Sequence, residues 1–255
     1  MISTTSKNKK RKLSLWSIII WVGIWQLAAM CLNSDILLAS PVKVVKALAG
    51  LVCEASFWRS VAFSSLRITA GFCLAMIFGI VLGALSYRFS IIEKILRLPV
   101  AAIKATPVVS FIILVLVWVP SKNLSIVISF LIAFPVMYTN IIEGLLEMDS
   151  KMLSMSKVFR IPFSKRVRYI YIPQVIPYFR AACALALGLC WKSGIAAEII
   201  GLPMGTIGER LYQAKIYLNM PEMFAWTVVI IAVSILFEKI VMKLIVFCMN
   251  KLEGK

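Results

Sequence analysis

The chain has 255 residues, of which 61% are hydrophobic and 15% charged, where a soluble domain carries about a quarter charged residues. Its mean hydropathy is +0.93, so an ordinary water-soluble enzyme or nucleic-acid module is disfavoured despite a formal charge of +17. Basic residues in short loops between apolar runs suit anionic lipid at a cytoplasmic face better than a nucleic acid. The chain contains no His, which removes the commonest metal ligand and the commonest general acid–base. Its six Cys form no C-x-x-C pair. No catalytic centre, cofactor site or metal site is expected.

In chain order, a basic tail over 1–13 (KNKKRK) precedes an apolar run at 15–32, LWSIIIWVGIWQLAAMCL. That run is near the roughly 20 residues that cross a bilayer. It lacks a small-x-small cleavage pattern and reads as an uncleaved first span. Residues 33–65, with SPVKVVKAL, suit an amphipathic helix at the outer interface. A second span is expected at 66–86, where Gly79 and Gly83 have the spacing of close helix packing. A third is expected at 101–119 and a fourth at 124–145, with kinks at Pro107 and Pro135. A fifth falls at 174–194, opened by Pro173 and Pro177, and a sixth at 222–238. Residues 195–221 read as a Gly/Pro-punctuated connection, and 248–255 as a tail. The reading is all-α: a polytopic membrane protein with six transmembrane helices and a permease domain over 14–247.

With the N-terminus inside, 19 Lys and Arg fall on inner segments and 7 on outer ones. That asymmetry places both termini in the cytoplasm. The segment 146–173, LEMDSKMLSMSKVFRIPFSKRVRYIYIP, then lies on the inner face. Met148, Met152, Met155 and Phe159 recur at helical spacing, which predicts a short amphipathic helix ended near Pro162. By itself this pattern fits equally an interfacial loop that merely joins two spans.

The segment resembles the cytoplasmic coupling loop of ABC importer permeases, which runs Glu-Ala-Ala, then a Gly, then an Ile-x-Leu-Pro ending. Ser154-Met155-Ser156 stands at the Glu-Ala-Ala place, Arg160 at the Gly place, and Ile170–Pro173 at the ending. Downstream, ALALGLCWKSGIAAEIIGLPMGTIGERLYQAKIY and Phe224–Trp226 resemble permeases of the nitrate/sulfonate/taurine importer group, as does LLASPVKVVKAL at Leu37–Leu48. The resemblance spans about 14–247. It departs at two places: Ser154 has no carboxylate, and Arg160 is ill suited to the positive-φ turn that a Gly allows. The turn is therefore expected at Ile161-Pro162 instead.

The resemblance implies a permease subunit of an ATP-driven importer in the bacterial cell membrane. Its partners would be a cytoplasmic ABC ATPase, an extracytoplasmic solute-binding protein, membrane lipid and a second copy of the chain, with no nucleic acid. The chain itself has no phosphate-binding loop, so hydrolysis would belong to the ATPase. Coupling would run through Met152, Ser154, Met155, Val158, Phe159 and Arg160, with the apolar members laid in a groove of the ATPase. The solute would be a small organic anion such as a sulfonate, or nitrate, or a vitamin precursor.

Candidates for the solute path are Glu198, Asn140, Lys192 and Ser110, with Arg67, Thr69, Lys104 and Thr106 as further polar positions in apolar runs. Arg67, Lys104 and Lys192 also suit snorkelling to an interface. Glu198 suits a gate or pairing role, or an ordinary helix cap. A secondary transporter without an ATPase is the alternative, and the lack of an inverted repeat argues against it.

Overall fold

The computed structural model describes residues 15–32, 34 and 37–253, and the expected basic tail over 1–13 lies outside them. The described residues form helices joined by short turns, with no strand among them. That is the outcome lipid imposes, because each backbone amide must find its partner within its own segment.

Helix α1 (Leu15–Leu32) coincides with the expected first span, and its Trp16, Ile19 and Trp21 face outward. Helix α2 (Pro41–Val52) starts after Ser40, with Pro41 at its first position. It buries Val44 with Ala39 and Ala225 while Val42 and Val45 stay exposed, so the amphipathic expectation holds over 41–52.

Helix α3 (Ala55–Arg88) begins eleven residues before the expected boundary at 66 and runs for 34 residues. At 1.5 Å per residue it is roughly 50 Å long, well beyond a hydrocarbon core of about 30 Å. Residues 55–65 contain neither Gly nor Pro, so nothing breaks the helix where its composition turns polar. The polarity of ASFWRSVAFSS marks the membrane boundary, not the helix boundary.

The expected third span is not one helix. Helix α4 (Ser90–Ala105) and helix α5 (Val108–Leu116) are bent by 108° at Thr106-Pro107. Pro107 disfavours the helical region for the residue before it, and Thr106 is extended at φ −86° and ψ 133°. The expected kink is therefore a complete break. Helix α6 (Ser121–Leu146) matches the fourth span and stays continuous through Pro135. Thr139 Oγ1 donates to the Pro135 carbonyl at 2.8 Å.

Helix α7 (Ser150–Val158) is the cytoplasmic segment of the sequence reading. Helix α8 (Phe163–Arg166), a π-helical turn (Val167–Tyr171) and helix α9 (Ile172–Gly201) follow as one continuous helix of 39 residues. Pro173 and Pro177 therefore lie inside this helix and do not open it. Pro173 lacks an N–H and crowds the carbonyl one turn back. The widened turn immediately before it is the usual relief for such strain. Helix α10 (Ile207–Ile216) and helix α11 (Met220–Glu253) complete the chain. The segment 195–221 is thus not a loop: its first seven residues finish α9, and ten more form α10.

Helices α3, α6 and α9 form the central core. Gly71 and Gly79 let α3 approach α6 so closely that a Cβ would lie 2.5 Å from the Ile126 carbonyl and 2.5 Å from the Met137 Cβ. The core is sealed by Ile68, Phe72, Met137, Leu187 and Trp191, and α11 closes it where Phe237 meets Trp191 edge-on at 5.5 Å. By length and composition α3, α6 and the 163–201 helix can each cross a membrane, and the bent α4–α5 pair makes a fourth if read as one span.

Candidate functional site

Polar groups gather at both ends of the three-helix core. Gln174 sits near one end of α9 and Glu198 near the other, so they are separated by roughly 36 Å of helix.

At the Gln174 end, Asp149 caps α7 by accepting from the Lys151 N–H at 2.8 Å. The Asp149 N–H donates to Gln174 Oε1 at 3.1 Å, and Gln174 Nε2 approaches Met152 Sδ at 3.3 Å. Gln174 thus straps the start of α7 to the base of α9. The inner side of α7 packs through Leu153 against Ile141, Leu145 and Met148. Its outer side is uncovered and carries four apolar side chains beside the exposed Lys151, Ser154 and Lys157. Met152 is 47% exposed, Met155 60%, Val158 79% and Phe159 67%. The stripe expected from spacing is therefore split, because Met148 turns inward while the other three face out. Ser154 and Arg160 are exposed beside them.

Arg160 overturns the expectation for the turn. It adopts φ +48° itself. Its N–H donates to the Lys157 carbonyl at 3.0 Å, and the Ile161 N–H to the Ser156 carbonyl at 3.0 Å. This is a Schellman ending with Arg160 at the position that Gly usually holds. The two hydrogen bonds offset the left-handed conformation, so the backbone keeps the turn that a Gly would make.

At the other end Glu198 is fully buried. Its Oε2 accepts from Ser64 Oγ at 2.7 Å and from the Gly208 N–H at 3.3 Å. Ser64 Oγ in turn accepts from the Ile207 N–H at 3.0 Å. One carboxyl therefore ties α3, α9 and the N-terminus of α10 together, where helix-end N–H groups favour an acidic partner. Thr206 caps α10 by accepting from the Glu209 N–H at 3.2 Å, and the Glu209 carboxyl accepts from the Gly205 N–H. Glu198 lies inside the last turn of α9, not beyond it, and its capping of α10 accounts for part of its burial.

Ser125 stands beside the Glu198 carboxyl as a further side-chain donor, and Arg67 Nη1 is buried without a hydrogen-bonding partner among the described residues. Arg67 is only 7% exposed and does not snorkel, its guanidinium standing 3.9 Å from the centroid of the Phe63 ring. The remaining path candidates are not brought to Glu198 by any hydrogen bond. Asn140 Nδ2 donates to Val136 of its own helix at 2.9 Å. Lys192 and Ser110 are exposed, and Lys104 Nζ reaches Thr139 Oγ1 at 3.4 Å.

Sequence reasoning missed Gln174, Ser64, Ser125 and Gly208. A signal existed for one of them: Ser56, Ser60, Ser64 and Arg67 recur at spacings of three and four on one face of α3.

Residues 75–251 match the binding-protein-dependent transport system inner membrane component family. The chain belongs to that family. The match includes α7, Arg160 and Glu198, and begins after Ser64 and Arg67. Among the relatives of this inner membrane component is a protein of Brucella melitensis named as an ABC transporter permease, 23% identical over 219 residues, which cover 86% of this chain and 88% of the relative. A relative in Escherichia coli named for aliphatic sulfonates transport is 29% identical, over 78% of this chain and 76% of its own. A bicarbonate transport system permease of Synechocystis is 28% identical, over 72% and 65%. The chain is thus a multi-pass ABC permease, a transport component and not an enzyme family member.

Proposed function

We propose that this permease is the membrane subunit of an ATP-driven importer and that α7 is its handle for a separate cytoplasmic ATPase. The observation that carries the reading is the uncovered apolar face of α7, formed by Met152, Met155, Val158 and Phe159 on a helix anchored to the core by Gln174. Such a face in water is unfavourable unless a partner covers it. Laying it in a groove of the ATPase is the helix-in-groove mode, and Met supplies a contact that adapts as the partner moves. Ser154 and Arg160 flank the contact and set its rim.

In this reading six spans over 14–247 are joined to cytoplasmic tails at 1–13 and 248–255, and both termini lie on the α7 side. The pairing of two copies builds the solute path, with Glu198, Asn140, Lys192 and Ser110 as candidate lining groups. The exposure of Lys192 and Ser110 on a single chain is compatible with a path between two. A solute-binding protein delivers cargo to the α10 end. The relatives named for sulfonates and bicarbonate favour a small oxyanion as solute.

The test is co-purification of the chain with the ATPase encoded beside it. The double variant M155D/F159D should abolish retention of the ATPase while leaving the permease folded. Undiminished retention contradicts the α7 assignment, whereas failure of the unaltered chain to retain any ATPase favours a transporter that works without one.

A further inference from the structure

The first turns of α3 gather polar and basic side chains on one face. Ser56, Arg59, Ser60 and Phe63 recur at i, i+3, i+4 and i+7. With Met204 and Arg210 they line a cleft of about 520 Å³ at the Glu198 end of the core. The lining includes two guanidinium groups and no carboxylate.

The acids in the neighbourhood are engaged elsewhere. Glu54 and Glu222 line the adjoining cleft that shares Arg210. Glu54 accepts from Ser56 Oγ at 2.9 Å and Glu222 from Asn219 Nδ2 at 2.8 Å. The Glu209 carboxyl accepts from the Gly205 N–H and from Gln213 Nε2. Arg59 and Arg210 form no ion pair among the described residues. Ser60 is a third donor: it is 1% exposed, yet its hydroxyl has no hydrogen-bonding partner among the described residues. On the same helix Ser65 and Thr69 each donate to the carbonyl four residues back, at 2.6 Å.

Two like charges sharing a cleft repel, and a buried hydroxyl without a partner is costly. An anion in the cleft relieves both. A guanidinium fork matches the paired oxygens of a sulfonate or carboxylate, and Phe63 and Met204 add an apolar wall beside it. We infer that this cleft binds a small organic oxyanion. Arg59 and Arg210 clamp its charged head, Ser60 donates to the same head, and Phe63 and Met204 meet its apolar tail. The wall favours an organic anion over nitrate, which has no apolar part. Binding follows from the cleft alone; its service as a first station for incoming solute rests on the importer reading, in which this end receives the cargo.

The test is arginine modification by phenylglyoxal in the full-length chain in phosphatidylcholine nanodiscs, read residue by residue by mass spectrometry with ethanesulfonate as the probe. Ethanesulfonate should slow modification of Arg59 and Arg210 severalfold relative to chloride at the same ionic strength. Arg88, exposed at the other end of α3, should react at the same rate in both salts. Equal rates at Arg59 and Arg210 in the two salts, or equal protection of all three residues, overturn the inference. Nitrate should protect less, and protection equal to that by ethanesulfonate overturns the choice of an organic anion. R59Q changes an exposed side chain and should fold. The affinity for ethanesulfonate, read from protection of Arg210, should fall about tenfold in R59Q, the weight of one hydrogen bond to a charged group, and by less in S60A. Unchanged affinity in R59Q overturns the clamp. Protection that appears on adding phosphatidylglycerol without ethanesulfonate would assign the cleft to a lipid headgroup and overturn the solute reading. The readout needs neither ATPase nor transport, so its failure leaves the α7 assignment standing, and failure of the α7 assignment leaves this measurement intact.

Discussion

Ser64 and Glu198, 134 residues apart in the chain, share a buried hydrogen bond of 2.7 Å. Ser64 also accepts from Ile207, so this one hydroxyl bridges two other elements. S64A leaves the buried Ile207 N–H without its acceptor and takes from Glu198 Oε2 one of its two donors, the Gly208 N–H remaining. The expected cost is about 1–3 kcal/mol, read as a lowered thermal unfolding midpoint in detergent. S65A is the control, because its hydroxyl donates to Val61 within its own helix and the loss should be small.

Gly208 packs against the backbone of α9. A Cβ at this position would stand 2.4 Å from the Glu198 Cβ and 2.7 Å from its carbonyl carbon. Backbone and Cβ cannot swing aside as a long side chain can. G208A should therefore displace α10 at a cost of about 1–3 kcal/mol, and limited proteolysis of 202–219 should accelerate. Gly188 is the contrasting site, because a methyl group there would meet nothing within 4 Å. G188A should be neutral or should stabilise by up to about 1 kcal/mol, as expected where Ala replaces Gly inside a helix.

Arg160 holds a left-handed conformation that costs an L-residue roughly 1–2 kcal/mol. R160G removes that strain and should raise stability by about 1 kcal/mol, because the Schellman hydrogen bonds need only the backbone. Differential scanning of the purified chain checks this. A lower midpoint would mean that the Arg160 side chain makes a stabilising contact of its own.

Gln174 joins α9 to both ends of a short link, through the Asp149 N–H and Met152 Sδ. Q174A should leave the three-helix core intact and loosen α7. The expected reading is faster proteolysis within 149–161, with a global midpoint shifted by no more than about 1 kcal/mol, the net worth of one neutral hydrogen bond.

The parts of this fold legible in the sequence are those where hydropathy and helix boundary coincide. Helix α6 is the clearest case, starting after Pro120 and staying apolar to Leu146. The start of α3 is hidden because its first eleven residues are helical yet polar, and hydropathy marks the lipid, not the helix. Thr106-Pro107 is visible as a disturbance, but its 108° angle depends on where α5 packs against α6 and α9.

The two polar ends are legible to different degrees. The exposed positions on α7 follow from local spacing, although spacing does not tell which of Met148 and Met152 turns inward. Arg160 runs against expectation because residue type argues against positive φ, whereas the hydrogen-bonding pattern of the helix end demands it. At the other end Glu198 stands out as an acid in an apolar run. Its partners Ser64 and Gly208 come from remote segments, and such pairing is a property of packing.

The central claim is that α7 presents its apolar face to a cytoplasmic motor. The most direct measurement is labelling of M155C, in a background without other cysteines, by a membrane-impermeant maleimide in sealed vesicles of each orientation. The account predicts labelling only in inside-out vesicles, and protection of the site once the ATPase is bound. Labelling of residue 155 from the outer face would contradict it.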